Sequence, residues 1–416
     1  MAMSGCGAAP AAGSSPVAAT PVVPGTPLTV DDTSHVVVME YEAWFGPLSV
    51  TFASAEAKPV LQSTDMISLG RGYDSGDPAV IKQHVAWMEY MGMDAALVDL
   101  TNNVACIFNS ETFIVDNNVP GCTPSFVLYN QTIRDNTGNL YSAWTGLGTS
   151  LKLIPLLDGQ DQNVLLPDTD GKTAFEKEID YFGALTTEYP GRDVVYQGKP
   201  LMVIYCSAWQ DPNTADNPMW YQDQQFLKNR PDITAQYTFK FMAGFLDSQP
   251  PLWATPGTPS GPIMLNPEYP FWSWVDRLNP TCTLASCPYY PTYNQVAGST
   301  GSRAENLTVS IATEGQTGWG CPNSTSLPYC SDASLRYDAN NNYATFNSFM
   351  ALAPQVNPIF LIVHQFNEFV PPDEGFNADT DDDIEPSNLW GQTAIDAVKQ
   401  QITLYRQQVA TQAASQ

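Results

Sequence analysis

Asn367-Glu368 directly follows the apolar run Ile359-Phe-Leu-Ile-Val-His-Gln-Phe366, and Glu374 stands a short way beyond, in Pro371-Pro-Asp-Glu-Gly375. A carboxylate at the end of a buried strand is held by a rigid element yet can face a cleft, which is what a general base needs. Cleavage of a glycosidic bond requires one carboxyl group protonated at the working pH and a second one ionised. Their separation decides between direct attack by water and retention of configuration. Glu368 and Glu374 form the first such pair, and Glu314, closing Val309-Ser-Ile-Ala-Thr-Glu-Gly315, is a further catalytic candidate. The acidic run Asp379-Thr-Asp-Asp-Asp383 is rich in oxygen ligands for Ca²⁺ but lacks the spaced order of an EF-hand, and reads as a solvated tip. Neither a metal nor a cofactor is expected.

These residues must be positioned by repeated strand and helix units. Runs at 35–43, 94–100, 151–157, 200–207, 238–246, 271–275, 307–313 and 359–366 read as strands buried on both faces. Helical patterns fall at 77–92, 173–189, 215–229, 342–353 and 388–411, the first with Pro78 in its opening turn and Gly92 as its stop. Alternation of this kind implies a parallel sheet. With eight strands and no Gly-x-Gly-x-x-Gly after the first, the expected fold is α/β, a (β/α)8 TIM barrel with long loops stapled by disulfides. Residues 30–416 make one catalytic domain on this reading, and residues 1–29 a flexible tether.

In such a barrel the active site lies at the C-terminal ends of the strands. Glu42 and Trp44 follow the first strand, Asp99 and Asn102 the second, Asp158 the third and Trp209 the fourth. Trp253 follows the fifth, Trp274 the sixth, Trp319 the seventh and Asn367 the eighth. Aromatic faces stack on the C–H faces of sugars, while amides and carboxylates take up vicinal hydroxyls. The recurrence of these types at so many strand ends predicts a glycan cleft lined by them, with the Asn367 amide holding a substrate hydroxyl.

Composition agrees with a neutral polymer as partner. The chain has 43 acidic and 17 basic side chains, a net charge of −26, so nucleic acid and anionic lipid, which need a basic surface, are excluded. Residues 1–29 are rich in Ala, Pro, Gly and Ser and cannot repay the entropy of ordering. Met3-Ser-Gly-Cys6 is similar to the end of a bacterial lipoprotein signal, which implies export, a lipid anchor at Cys6 and a location in the periplasm or at the cell surface. Six of the other cysteines fall into close pairs, Cys106 with Cys122, Cys282 with Cys287 and Cys321 with Cys330, spaced for disulfides in an oxidising compartment rather than for zinc. Cys206 lies in an apolar run and reads as a buried free thiol; with only three His in the chain, cysteine catalysis is discounted.

Two segments resemble a known group. Gly72-Tyr-Asp-Ser-Gly-Asp-Pro78 before a helix and Met91-Gly-Met-Asp94 before a strand are similar to the corresponding turn and strand of glycoside hydrolase family 99 and its WbsX-like relatives. That group carries Asn-Glu-Trp-x-Glu-Gly followed by Ile-Glu-Pro; here Asn367-Glu368-Phe369 and Glu374-Gly375 precede Ile384-Glu385-Pro386. The resemblance implies a (β/α)8 glycosidase, in the family's case an endo-acting α-mannosidase, with Glu368 as base, acting through the sugar's own 2-hydroxyl, and Glu374 as acid. Phe369 replaces Trp, and Val370-Pro-Pro-Asp373 stands where the family has one residue, so the acid's role could pass to Asp373 or Glu42. Glu314 matches a different pattern, that of retaining barrels with a nucleophile on the seventh strand, but no Asn-Glu ends the fourth.

The leading expectation is a monomeric, surface-anchored glycoside hydrolase that cuts a neutral polysaccharide or oligosaccharide, more readily within the chain than from its end. A non-catalytic glycan-binding surface lipoprotein is the alternative: it would keep the Trp-rich cleft without a working carboxylate pair. A polysaccharide lyase ranks third, since a chain this acidic repels uronic acids.

Overall fold

The structure is a computed structural model, and it describes residues 25–46, 59–63, 72–101, 104–109, 122–159, 165–207, 219–244, 263–264, 271–273, 292–295, 303–311, 343–368 and 383–414. The strands, in chain order, are β1 Leu28–Val30, β2 Val36–Glu42, β3 Ala95–Asp99, β4 Lys152–Asp158, β5 Val194–Tyr196, β6 Lys199–Ser207, β7 Thr238–Gly244, β8 Ile263–Met264, β9 Phe271–Ser273, β10 Thr292–Gln295, β11 Ala304–Ser310 and β12 Phe360–His364. Parallel pairing runs β9-β7-β6-β4-β3-β2-β12-β11, so eight strands lie side by side in sequence order. The two ends of this row meet where the Trp272 indole N–H of β9 donates to Glu305 Oε2 of β11 at 3.1 Å. The result is the (β/α)8 barrel that the alternating pattern predicts.

Side-chain alternation divides the strands cleanly. Val36, Val38, Leu97, Ile154, Leu156 and Val203 fill the barrel together with Trp272 and Phe360, whose rings lie 4.8 Å apart. Their sequence neighbours Val37, Met39, Ala96, Val98, Leu153 and Ile204 face outward into a second core shared with the helices. Because the two faces are both apolar, the strands read as continuous hydrophobic runs, which makes them legible in the sequence.

Helix α1 (Pro78–Met91) begins where the Asp77 side chain accepts from the Ala79 N–H and ends at Gly92, whose φ of 86° suits a residue without Cβ. Two further helices, α2 (Val104–Phe108) and α3 (Pro124–Leu147), follow β3. Neither is expected from the sequence pattern, and they flank the loop stapled by the Cys106–Cys122 disulfide, whose Cα atoms are 5.5 Å apart. Helices α4 (Ala174–Glu188), α5 (Met219–Lys228), α6 (Pro231–Thr234), α7 (Ala344–Met350), α8 (Ala353–Val356) and α9 (Thr393–Ala414) complete the outer layer. No helix among the described residues is long and apolar enough to cross a membrane.

The N-terminal floor of the barrel departs from the sequence reading. Leu28 and Thr29, assigned to the tether by composition, pair with Val194 and Val195 of β5, so the folded chain starts before residue 30. Tyr196 of β5 lies edge-on to Phe360 and donates to Glu305 Oε1 at 2.9 Å, and Lys240 reaches the same oxygen at 2.6 Å. This ion pair, with the Tyr196 and Trp272 donors, satisfies a carboxylate that is otherwise costly to bury. β11 begins at Ala304, three residues before the expected 307–313, where Ala304 pairs with Gln295 of β10. The Cys282–Cys287 and Cys321–Cys330 pairs lie outside the described residues. Cys206 lies on β6, as expected.

Candidate functional site at the C-terminal ends of the strands

Continuing the inward alternation of Val36 and Val38 along β2 brings Glu40 and Glu42 to the barrel's C-terminal end, as Ala95 and Leu97 lead to Asp99 and Phe360 and Ile362 lead to His364. Glu42 and Asp99 are direct partners in the β2–β3 register. Glu40, Glu42 and Asp99 are buried, and each offers a carboxylate oxygen within 4.8 Å of the other two. One oxygen of each is anchored from outside the group: His364 Nδ1 meets Glu40 Oε2, the Asn367 N–H donates to Glu42 Oε2 at 3.3 Å, and the Thr101 N–H donates to Asp99 Oδ1 at 2.6 Å.

Three carboxyl groups in a dry space cannot all ionise at ordinary cost. Burial, and then the charges of Glu40, Asp99 and Glu368, push Glu42 well above the usual carboxylate range. Burial and the charge of Glu40 raise Asp99 to about 7. The group therefore holds protons at neutral pH.

Glu368 differs from them in being only partly buried. The Gln365 side-chain amide donates to its Oε2 at 2.5 Å, and its charge is felt by Glu42. Asn367, between them, is fully buried, and its side chain is committed to the protein: Oδ1 accepts from the Glu42 N–H at 3.0 Å, while Nδ2 donates to Glu42 O at 2.9 Å and to Tyr73 Oη at 3.0 Å. It thus clamps the end of β12 to the end of β2 instead of holding a substrate hydroxyl, because an amide with both donor directions used inside has nothing to offer a sugar.

Behind Asn367 runs a buried polar chain that links distant parts of the sequence. Tyr73 Oη donates to Glu385 Oε2 at 2.6 Å, Glu385 Oε1 lies 3.3 Å from His84 Nε2, and His84 Nδ1 lies 3.0 Å from Tyr41 Oη. Burial and the neighbouring Glu385 carboxylate push both tyrosine hydroxyls above their usual value, so they remain protonated. The turn at 72–78 and the Ile-Glu-Pro segment, which carry the family resemblance from opposite ends of the chain, meet in this contact. Tyr73, His84 and Glu385 are not among the site residues that the sequence singles out. Their signal is present in those two motifs, but the pairing itself depends on the chain returning over β12, where the Glu385 N–H donates to Phe366 O at 2.8 Å.

The remaining expected residues divide into two groups. Asp158 is buried, with Oδ2 3.5 Å from the Val104 N–H, and Trp44 is partly buried against the outer core, its indole N–H donating to Asp99 O at 3.3 Å. Trp44 thus supports the carboxylate group from behind the strand as well as flanking the site. Glu374, Glu314, Asn102, Trp209, Trp253, Trp274, Trp319 and residues 379–382 of the acidic run lie outside the described residues, while Asp383, which closes that run, is buried and not part of a solvated tip.

No family model matches the chain, and no curated protein matches it. Among solved structures, it is similar to the GH99 endo-alpha-mannosidase from Bacteroides thetaiotaomicron in complex with BIS-TRIS-Propane, with a TM-score of 0.43 and 13% identity over 92% of this chain and 99% of that one. A second structure of the same enzyme gives a TM-score of 0.43 and 12% identity over the same shares. A GH138 enzyme targeting pectin rhamnogalacturonan II is similar over 55% of this chain and 27% of that one, with 9% identity and a TM-score of 0.22. The barrel itself stands on the strand pairing described above.

Proposed function

We propose that the protein is a glycoside hydrolase that cuts a neutral polysaccharide or oligosaccharide, internally, at the C-terminal end of the barrel. The observation that carries this reading is Glu368, a partly accessible carboxylate held by Gln365 four residues beyond the end of β12, near acidic groups that are buried. Position and support of this kind suit a general base: the residue before it is clamped to β2 by its own hydrogen bonds, and one carboxylate oxygen is fixed while the side chain stays partly exposed. A carboxylate at Glu368 favours the positive charge that develops in an oxocarbenium-like transition state. Glu42 is too deeply buried to reach a leaving group, so the acid is assigned to Glu374, further along the chain.

Export with a lipid anchor at Cys6 belongs to the same reading, and the Cys106–Cys122 bridge supports an oxidising compartment. The test is a screen of purified protein against plant, yeast and bacterial polysaccharides, read by product chromatography. On the glycan so identified, Glu368→Gln should lower turnover by several orders of magnitude while leaving glycan binding intact. Binding without cleavage by the wild-type chain would favour a glycan-binding protein, and near wild-type turnover by Glu368→Gln would overturn the assignment of the base.

A further inference from the structure

The barrel's mouth contains a group that the hydrolytic reading does not use. Glu40 and Glu42 alternate onto one face of β2, and Asp99 is brought opposite Glu42 by the β2–β3 register, so a rigid backbone rather than a loop brings the three carboxylates together. Each is anchored through one oxygen by a neighbour outside the group, as described above. Such anchoring by outer residues is the usual means of orienting metal ligands. Glu42 supplies an independent sign: it is fully buried, and its Oε1 has no hydrogen-bond partner among the described residues. A buried carboxylate oxygen left unsatisfied costs more than an ordinary hydrogen bond contributes and calls for an explanation.

We propose that Glu40, Glu42 and Asp99 bind a single hard divalent cation, of the Ca²⁺ or Mg²⁺ type, beneath the substrate site. Oxygen ligands without a thiolate or an imidazole select a hard ion, since His364 Nδ1 is turned toward Glu40. One carboxylate oxygen from each residue lies within 4.8 Å of the other two, close enough for a single ion to join them, with water in its remaining positions. The ion would replace the protons that the group otherwise holds and fix the ends of β2 and β3 under Glu368.

The inference concerns the same end of the barrel as the proposed hydrolase but does not require it, and its test reads binding and stability without substrate. Full-length protein is stripped with EDTA, dialysed, and titrated with CaCl₂, MgCl₂ or MnCl₂ by isothermal calorimetry and thermal melting. One divalent cation per chain should bind, with the melting temperature rising by several degrees at saturation. Glu42→Gln and Asp99→Asn should each abolish the cation response while melting, without metal, no lower than the stripped wild type, since each removes a buried repulsion. That opposite behaviour separates loss of a ligand from loss of the fold. Absence of heat and of any melting shift with all three ions up to millimolar concentration would overturn the proposal. A response that survives in both variants would also overturn it, placing the ion elsewhere, with an Asp381→Asn, Asp382→Asn double variant then testing the acidic run. Cleavage that persists in stripped protein would leave the hydrolase reading standing on its own.

Discussion

Tyr73 holds the site together from behind, because its one hydroxyl accepts from Asn367 and donates to Glu385. Tyr73→Phe keeps the ring contacts with Phe45 and His84 but removes both bonds. The expected result is a stability loss of about 1–3 kcal/mol in urea denaturation and a lower kcat with little change in KM, since Asn367 would no longer fix Glu368. Asp223 on α5 should respond in the opposite sense. It is fully buried, neither of its oxygens has a hydrogen-bond partner among the described residues, and burial and then the charge of Asp158 raise it well above the usual carboxylate range. Glu178 is raised as well, chiefly by burial and Asp158. A raised folded-state value means that the stability linked to these groups is complete below the unfolded value of about 4 and is lost as pH climbs toward the folded one. Asp223→Asn should therefore stabilise the protein near neutral pH, by roughly 1–3 kcal/mol, and flatten the decline seen in melting curves taken from about pH 4 upward. Equal pH dependence in wild type and variant would show that Asp223 does not titrate in this way.

At the scale of elements, the close approach of α5 to β4 and β6 depends on Gly159. A Cβ there would meet Asp223 Oδ2 at 2.6 Å, Ile204 Cγ2 at 2.7 Å and Tyr205 O at 2.8 Å, and the last of these is backbone that cannot turn aside. Gly159→Ala should cost about 1–3 kcal/mol by overpacking, measured as a lower melting temperature. The disulfide acts between α2 and the start of α3, where Cys106 and Cys122 are 16 residues apart. Its reduction should cost about 3 kcal/mol by the loop-entropy model, and non-reducing peptide mapping should recover the Cys106–Cys122 peptide along with Cys282–Cys287 and Cys321–Cys330. Helix α3 shows what periodicity cannot reach. Polar residues break up the apolar pattern of its central turns, and Asn130, Asn136 and Thr137 are nonetheless buried. Asn136 is inward because its amide donates to the carbonyls of Ala43 and Phe45 beyond β2, a use that no local pattern reveals.

For the molecule as a whole, 43 acidic against 17 basic side chains impose self-repulsion on the compact state. Raising NaCl from about 0.02 to 0.5 M shortens the Debye length from roughly 20 Å to about 4 Å and should raise the melting temperature by a few degrees. A fall instead would mean that surface ion pairs such as Lys172–Asp180 outweigh the net charge. The same excess of acid repels polyanions as partners.

The order of the eight barrel strands was determined by the sequence, because a strand buried on both faces must be apolar throughout, and Pro78 and Gly92 mark helix ends by local backbone chemistry alone. Glu42, Asp99, Asn367 and Glu368 were legible for the same reason: they are polar residues at the ends of apolar runs. What each of them does was decided by tertiary structure. Parity along β2 turns Glu40 and Glu42 to the same inner face, the β2–β3 register sets Asp99 against Glu42, and the return of the chain at 383–387 supplies Glu385 to Tyr73. Burial then makes proton holders of carboxylates that would be ordinary acids in solvent, and hydrogen bonds to β2 turn Asn367 from a sugar ligand into a clamp. Desolvation and partnership depend on which surfaces meet across the barrel, and sequence spacing carries no record of that.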